Sequence, residues 1–122
     1  MLPEQDAVRI RHMLDAARSV SRFIEHRRRE DLEADEMLAF AVTRGLEIIG
    51  EAGNQVSQGA RLSCPQIPWP LVVGMRHRLI HAYFDVDLDR VWATAVRDLP
   101  PLIAALERLL RSEATESEGD HA

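Results

Sequence analysis

The chain has 122 residues, 46% hydrophobic and only 5% aromatic, which suits a single domain built from helix formers rather than a sheet. A formal net charge of −5 excludes broad electrostatic capture of nucleic acid, so any phosphate chemistry must sit in a local cationic cleft. A lone cysteine, Cys64, excludes an internal disulfide, and with no apolar leader and no apolar run of about 20 residues the expected location is the cytoplasm, with no membrane association.

From Glu4 to about Arg28, Ile10, Met13, Leu14, Ala17, Val20 and Ile24 fall on one stripe of a long helix. The charged stretch from His26 to Asp31 reads as a solvated helix end and connection. Its Arg27-Arg28-Arg29 run sits where cations favour a helix C-terminus, a simpler reading than a nucleic-acid contact. A second helix is predicted from about Leu32 to Ser57, its stripe being Leu38, Ala41, Val42, Leu46, Ile49, Ala52, Gly53 and Val56. Met37, Phe40, Arg44 and Ile48 occupy a partly separate face. Such a helix needs more than one partner, either as the centre of a bundle or as a surface shared with a second subunit.

Pro65, Pro68 and Pro70 forbid a continuous helix between Gly59 and Pro70, although Pro70 fits the first turn of a third helix carrying Trp69, Val72, Val73, Leu79 and Ile80. The stretch from Ala82 to Asp87 predicts a turn. Asp87 then caps a short helix through Val91, Trp92 and Ala95, and Asp98 caps a last helix through Leu102, Ile103, Leu106, Leu109 and Leu110. The expected fold is all-α, an up-and-down bundle of about five helices, two long and three shorter. The domain covers residues 1–111, and the acidic tail of residues 112–122 has nothing to bury and is expected to be disordered.

The chemistry concentrates in Gly74-Met-Arg-His-Arg-Leu-Ile-His-Ala-Tyr-Phe-Asp-Val-Asp87. Arg76 sits in register with Val72, Val73 and Ile80, which predicts an inward guanidinium. Desolvating it demands a partner, and Glu47 or Glu51 of the second helix would serve. His81 lies five residues on, roughly 140° away around a regular helix. Either the helix frays near His81 or the site combines residues from two subunits. An imidazole beside a guanidinium suits metal-free phosphodiester cleavage: the imidazole takes the proton of a ribose 2′-hydroxyl, and the guanidinium stabilises the phosphate charge. Such a mechanism excludes DNA.

Arg76-x4-His81-x-Tyr83 resembles the R-x4-H-x-Y motif of HepT-like HEPN proteins, toxins paired with MntA-type nucleotidyltransferase antitoxins. Leu46-Glu-Ile-Ile-Gly-Glu-Ala52, Ile67-Pro-Trp69, His81-Ala-Tyr-Phe-Asp-Val-Asp87, Val91-Trp92 and Leu99-Pro-Pro-Leu102 extend the likeness over about residues 6–110. His77 stands where the family often has Asn or Asp. The resemblance implies a HEPN-type homodimer whose paired third helices bring two motifs into one cleft, with RNA as substrate and no cofactor. It makes Arg76 and His81 the catalytic pair, His77 and Arg78 auxiliary groups, and Tyr83 the target of AMPylation by the antitoxin. The plain alternative for Tyr83 is an aromatic buried under the turn.

Two other readings compete. The same bundle fits a non-catalytic, nucleotide-binding or interaction subunit of a nucleotidyltransferase complex. His77 and His81 share a face at i, i+4, but two ligands are too few for a firm metal site, and none is expected. Asp85, Asp87 and Asp89 lack the Gly and distal Glu of a calcium loop and read as turn and cap residues.

Overall fold

In the computed structural model residues 1–82 and 85–120 are described. Helix α1 (Glu4–Phe23) buries the expected stripe of Ile10, Met13, Leu14, Ala17 and Val20. It ends at Phe23 rather than at Arg28, and His26 takes a left-handed backbone (φ 63°) that turns the chain. The arginine triplet is absorbed by carboxylates: Arg27 pairs with Asp35, Arg28 with Glu30, and Arg29 with both Glu33 and Asp89. The 2.8 Å hydrogen bond from Arg29 to Asp89 holds this guanidinium above its ordinary pKa.

The predicted second helix is interrupted. α2 (Asp31–Ala34) stops at Asp35, whose extended backbone lets its carboxylate accept the Leu38 N–H at 3.1 Å and cap α3 (Glu36–Asn54). Aspartate competes well for that capping position, and this outweighs the continuous periodicity. The proline-rich stretch also holds a short helix, α4 (Gln58–Ser63). Its cap, Ser57, accepts the Ala60 N–H and donates its own hydroxyl to Asp6 Oδ2 at 2.7 Å, while the Ser57 N–H donates to Asp6 Oδ1 at 2.8 Å. The buried Asp6 is thereby satisfied, and the start of α1 is locked to the α3–α4 corner. The Trp69 indole donates to the Cys64 carbonyl at 3.0 Å and anchors the following loop.

The third helix divides at Gly74 into α5 (Trp69–Val73) and α6 (Met75–Leu79). An antiparallel pair follows in place of the bare turn: β1 (Ile80–Ala82) against β2 (Asp85–Val86), in register Ile80 to Val86 and Ala82 to Asp85. Asp87 caps α7 (Leu88–Ala93), as expected, by accepting the Arg90 N–H at 3.1 Å. Asp98, in contrast, makes no capping hydrogen bond among the described residues. It closes a π-helical segment, Thr94–Asp98, that runs directly into α8 (Leu99–Asp120), and the Leu99 N–H reaches the Thr94 carbonyl. Pro100 and Pro101 supply the reason. Proline has no N–H to donate, and its ring crowds the carbonyl four residues back, so a wider turn just ahead lets the axis continue.

Three long helices carry the domain, where two were expected: α1, α3 and α8. Gly45 packs on Val20 and Gly53 on Met13, so α1 and α3 run antiparallel. Arg18 bonds Glu107 and the Leu2 N–H bonds Glu113, so α1 and α8 do too. The bundle is all-α apart from its small β-pair. From residue 112, where disorder was expected, α8 continues to Asp120, and Glu113 and Glu116 meet the amino terminus. Among the described residues no helix is long and apolar enough to cross a membrane.

The α5–α6 pair crosses α3 at two glycines. A Cβ on Gly50 would stand 3.3 Å from the Val72 carbonyl oxygen, and one on Gly53 would stand 2.4 Å from Val72 Cγ1. Replacing Gly53 by alanine favours an isolated helix by about 1 kcal/mol, but here the added methyl meets a stiff β-branched neighbour. Gly53→Ala is expected to lower the unfolding free energy by about 1–3 kcal/mol. Denaturant titration measures this, and an unchanged or raised midpoint would mean that α5 can retreat from α3.

Candidate functional site

Two helical registers were open to the third helix. Val72, Val73, Arg76 and Ile80 form one stripe; Val72, Met75 and Leu79 form another. The second is the one buried, with Val72 and Met75 at 0% exposure and Leu79 at 1%. Burying a thioether costs no unpaired charge, whereas burying a guanidinium does. Arg76, His77 and Arg78 therefore face outward, which corrects the inward Arg76 of the sequence reading. Its expected partners are engaged elsewhere: Glu51 and Glu47 lie 3.0 and 3.5 Å from the Arg44 guanidinium.

Arg76 and His77 form one wall of an open groove of about 1090 Å³. α3 contributes Glu36, Phe40, Thr43, Arg44 and Glu47 to its lining, α2 contributes Leu32 and Glu33, and Ile80, Val86 and Leu88 come from the strand pair and the start of α7. No hydrogen bond or ion pair ties the Arg76 side chain to another described residue. Arg78 does not join it. That side chain folds back along its own segment and donates to the Leu71 carbonyl at 2.7 Å, outside the groove lining.

α6 ends at Leu79, because Ile80 is already extended (φ −125°, ψ 112°). His81 thus belongs to β1 and not to a helix, so the 140° helical offset does not apply to it. Its ring, like the whole of Tyr83, lies outside the described residues. The hairpin around them is held at its base by the Asp87 N–H on the Leu79 carbonyl at 2.9 Å, by the Asp87 cap, and by the Arg29–Asp89 pair. Asp87 is thereby the cap residue expected of it, whereas Asp89 lies in the first turn of α7 and pairs with Arg29. Among the described residues no three His, Cys, Asp or Glu side chains converge as a metal site would require.

Sequence reasoning missed Arg44, which counted there only as part of a second face of α3. The available signal was an arginine interrupting an otherwise apolar stripe, with glutamates three and seven residues beyond it.

The family model for HepT-like ribonucleases matches residues 13–109. Among curated proteins, "Probable ribonuclease HepT" of Thermococcus cleftensis is 44% identical over 80 residues, 66% of this chain and 73% of the relative. A "Putative RNase" of Caldanaerobacter subterraneus subsp. tengcongensis is 37% identical over 84 residues, 69% of this chain and 75% of that protein. Another "Putative RNase", of Methanocaldococcus jannaschii, is 34% identical over 95 residues, 78% of this chain and 87% of the relative. No solved structure matches the chain.

The register of α6 has a direct consequence for stability. Met75→Ala is expected to cost about 2–5 kcal/mol, whereas Arg76→Ala should change the unfolding free energy by no more than about 0.5 kcal/mol. Urea denaturation of both variants tests this, and a reversed order of the two costs would restore the inward arginine.

Proposed function

The chain belongs to the HepT-like ribonuclease family, and we propose that it is a metal-independent endoribonuclease acting as the toxin of a toxin–antitoxin pair in the cytoplasm. The observation that carries this reading is Arg76: an exposed guanidinium on a groove wall, with no partner among the described residues, on the short helix that leads directly into the strand of His81. A buried arginine could not reach a phosphate; this one can.

In the proposed reaction the neutral imidazole of His81 takes the proton of a ribose 2′-hydroxyl. The 2′-oxygen forms a bond to the adjacent phosphorus as the phosphorus–5′-oxygen bond breaks. The leaving 5′-oxygen takes up a proton, and the other product carries a 2′,3′-cyclic phosphate. Arg76 pairs with the non-bridging oxygens and stabilises the charge that develops on them. His77, on the same wall, is an auxiliary polar group. Arg78, committed to the Leu71 carbonyl, is given no catalytic part.

The active form is proposed to be a homodimer. Met37 and Phe40 leave an apolar patch on α3 at 79% and 68% exposure, beside the groove, and a second copy would cover it while bringing the two Arg76–His81 motifs into one cleft. Neutralisation is proposed to come from an MntA-type nucleotidyltransferase that transfers AMP from ATP to the hydroxyl of Tyr83. A nucleotide attached two residues from His81 would exclude RNA by bulk and charge.

The test is cleavage of RNA by the purified protein in EDTA. Wild type is expected to cut RNA but not DNA of the same sequence and to leave cyclic phosphate ends. His81→Ala should lower the rate by at least about a hundredfold, and Arg76→Ala by about 10²–10³. Equal cleavage by wild type and His81→Ala would expose a contaminating nuclease. The non-catalytic reading, in which the bundle serves as the partner subunit of a nucleotidyltransferase, would then take its place.

A further inference from the structure

We infer that Arg44 is a second phosphate-binding residue of the groove, contacting a backbone phosphate next to the one held at Arg76. This rests on the ribonuclease reading and extends its binding surface to α3. The groove is poorly charged for RNA: Glu33, Glu36 and Glu47 share its lining with only two arginines, Arg44 and Arg76. A chain of phosphates gains nothing from such a surface unless both cations are turned towards it. The arginines nearest in sequence do not supply the second charge. Arg78 folds onto the Leu71 carbonyl, and neither it nor Arg27, Arg28 or Arg29 lines the groove.

The position of Arg44 is set by where its side chain lies. Its backbone is about 9 Å along α3 from Gly50, the residue under the Arg76 N–H. The guanidinium leans towards the C-terminal half of α3, Nη1 lying 3.0 Å from Glu51 and 3.5 Å from Glu47. Both arginines line the one groove, Arg44 from α3 and Arg76 from α6.

The grip on Arg44 is loose. Arg44 and Glu51 are 58% and 51% exposed, and pairs of that kind contribute little in water because solvent competes for both partners. A phosphate offers a guanidinium a bidentate, charge-assisted contact that replaces both. In the free protein the carboxylates hold the side chain extended along the helix, already beside the groove, so little reorganisation precedes binding.

The probe is a short, fluorescently labelled, single-stranded 2′-O-methyl oligoribonucleotide, which lacks the hydroxyl needed for cleavage. Its affinity is measured by anisotropy across a salt series. Arg44→Gln is expected to weaken binding about tenfold and to reduce the slope of log affinity against log salt by about 0.7, the value of one phosphate contact on a single strand. Arg44→Lys should recover most of the slope. Circular dichroism and sedimentation of the variants verify that fold and assembly are kept. Unchanged affinity and slope in Arg44→Gln, with wild type still cleaving RNA, would remove Arg44 from the binding surface and leave the ribonuclease reading intact. A wild type that neither bound the probe nor cut RNA would remove both.

Discussion

The contact on which the rest depends is the close approach of α5–α6 to α3 at Gly50 and Gly53. Absent side chains there allow the Val72 carbonyl, Val72 Cγ1 and the Arg76 amide to lie almost on the α3 backbone. Met75 then fills the space below, fully buried. With that thioether pointing inward, the next residue along points out, and that residue is the arginine. The exposure of Arg76 is thus a packing result before it is a functional one. The groove follows from the same geometry, since its two walls are the helices that cross at these glycines.

Much of the fold was legible. The stripe of α1, the buried side of α3 and the Asp87 cap are local patterns, and local patterns are what spacing reports. The breaks were harder. Asp35 interrupts a periodicity that runs straight through it, because a capping hydrogen bond outweighs helix continuation at that one residue. The proline pair after Leu99 suggested a helix start, yet the chain absorbs it by widening one turn, a solution that no apolar pattern signals.

The candidate site was legible in location and misjudged in orientation. Arg76 and His77 do face one groove, but the partner sought for Arg76 among the α3 glutamates is instead bound to Arg44. Two stripes differing by one residue satisfied the same helical period, and only the cost of desolvating charge separates them. Arg78 is adjacent in sequence yet serves its own backbone. Arg44, distant in sequence, lines the same groove as Arg76. Pairings between helices are set by crossing geometry, which a one-dimensional pattern does not contain.

α6 has only five residues, far too few to persist as a helix by itself in water. Its arginine is a positioned group solely because α3 lies beneath it. Under the proposed toxin function, a selection for harmless variants should therefore collect lesions along the inner side of α3 as readily as at Arg76 and His81. Such alleles would leave both of those residues unaltered in sequence and remove the support that positions Arg76.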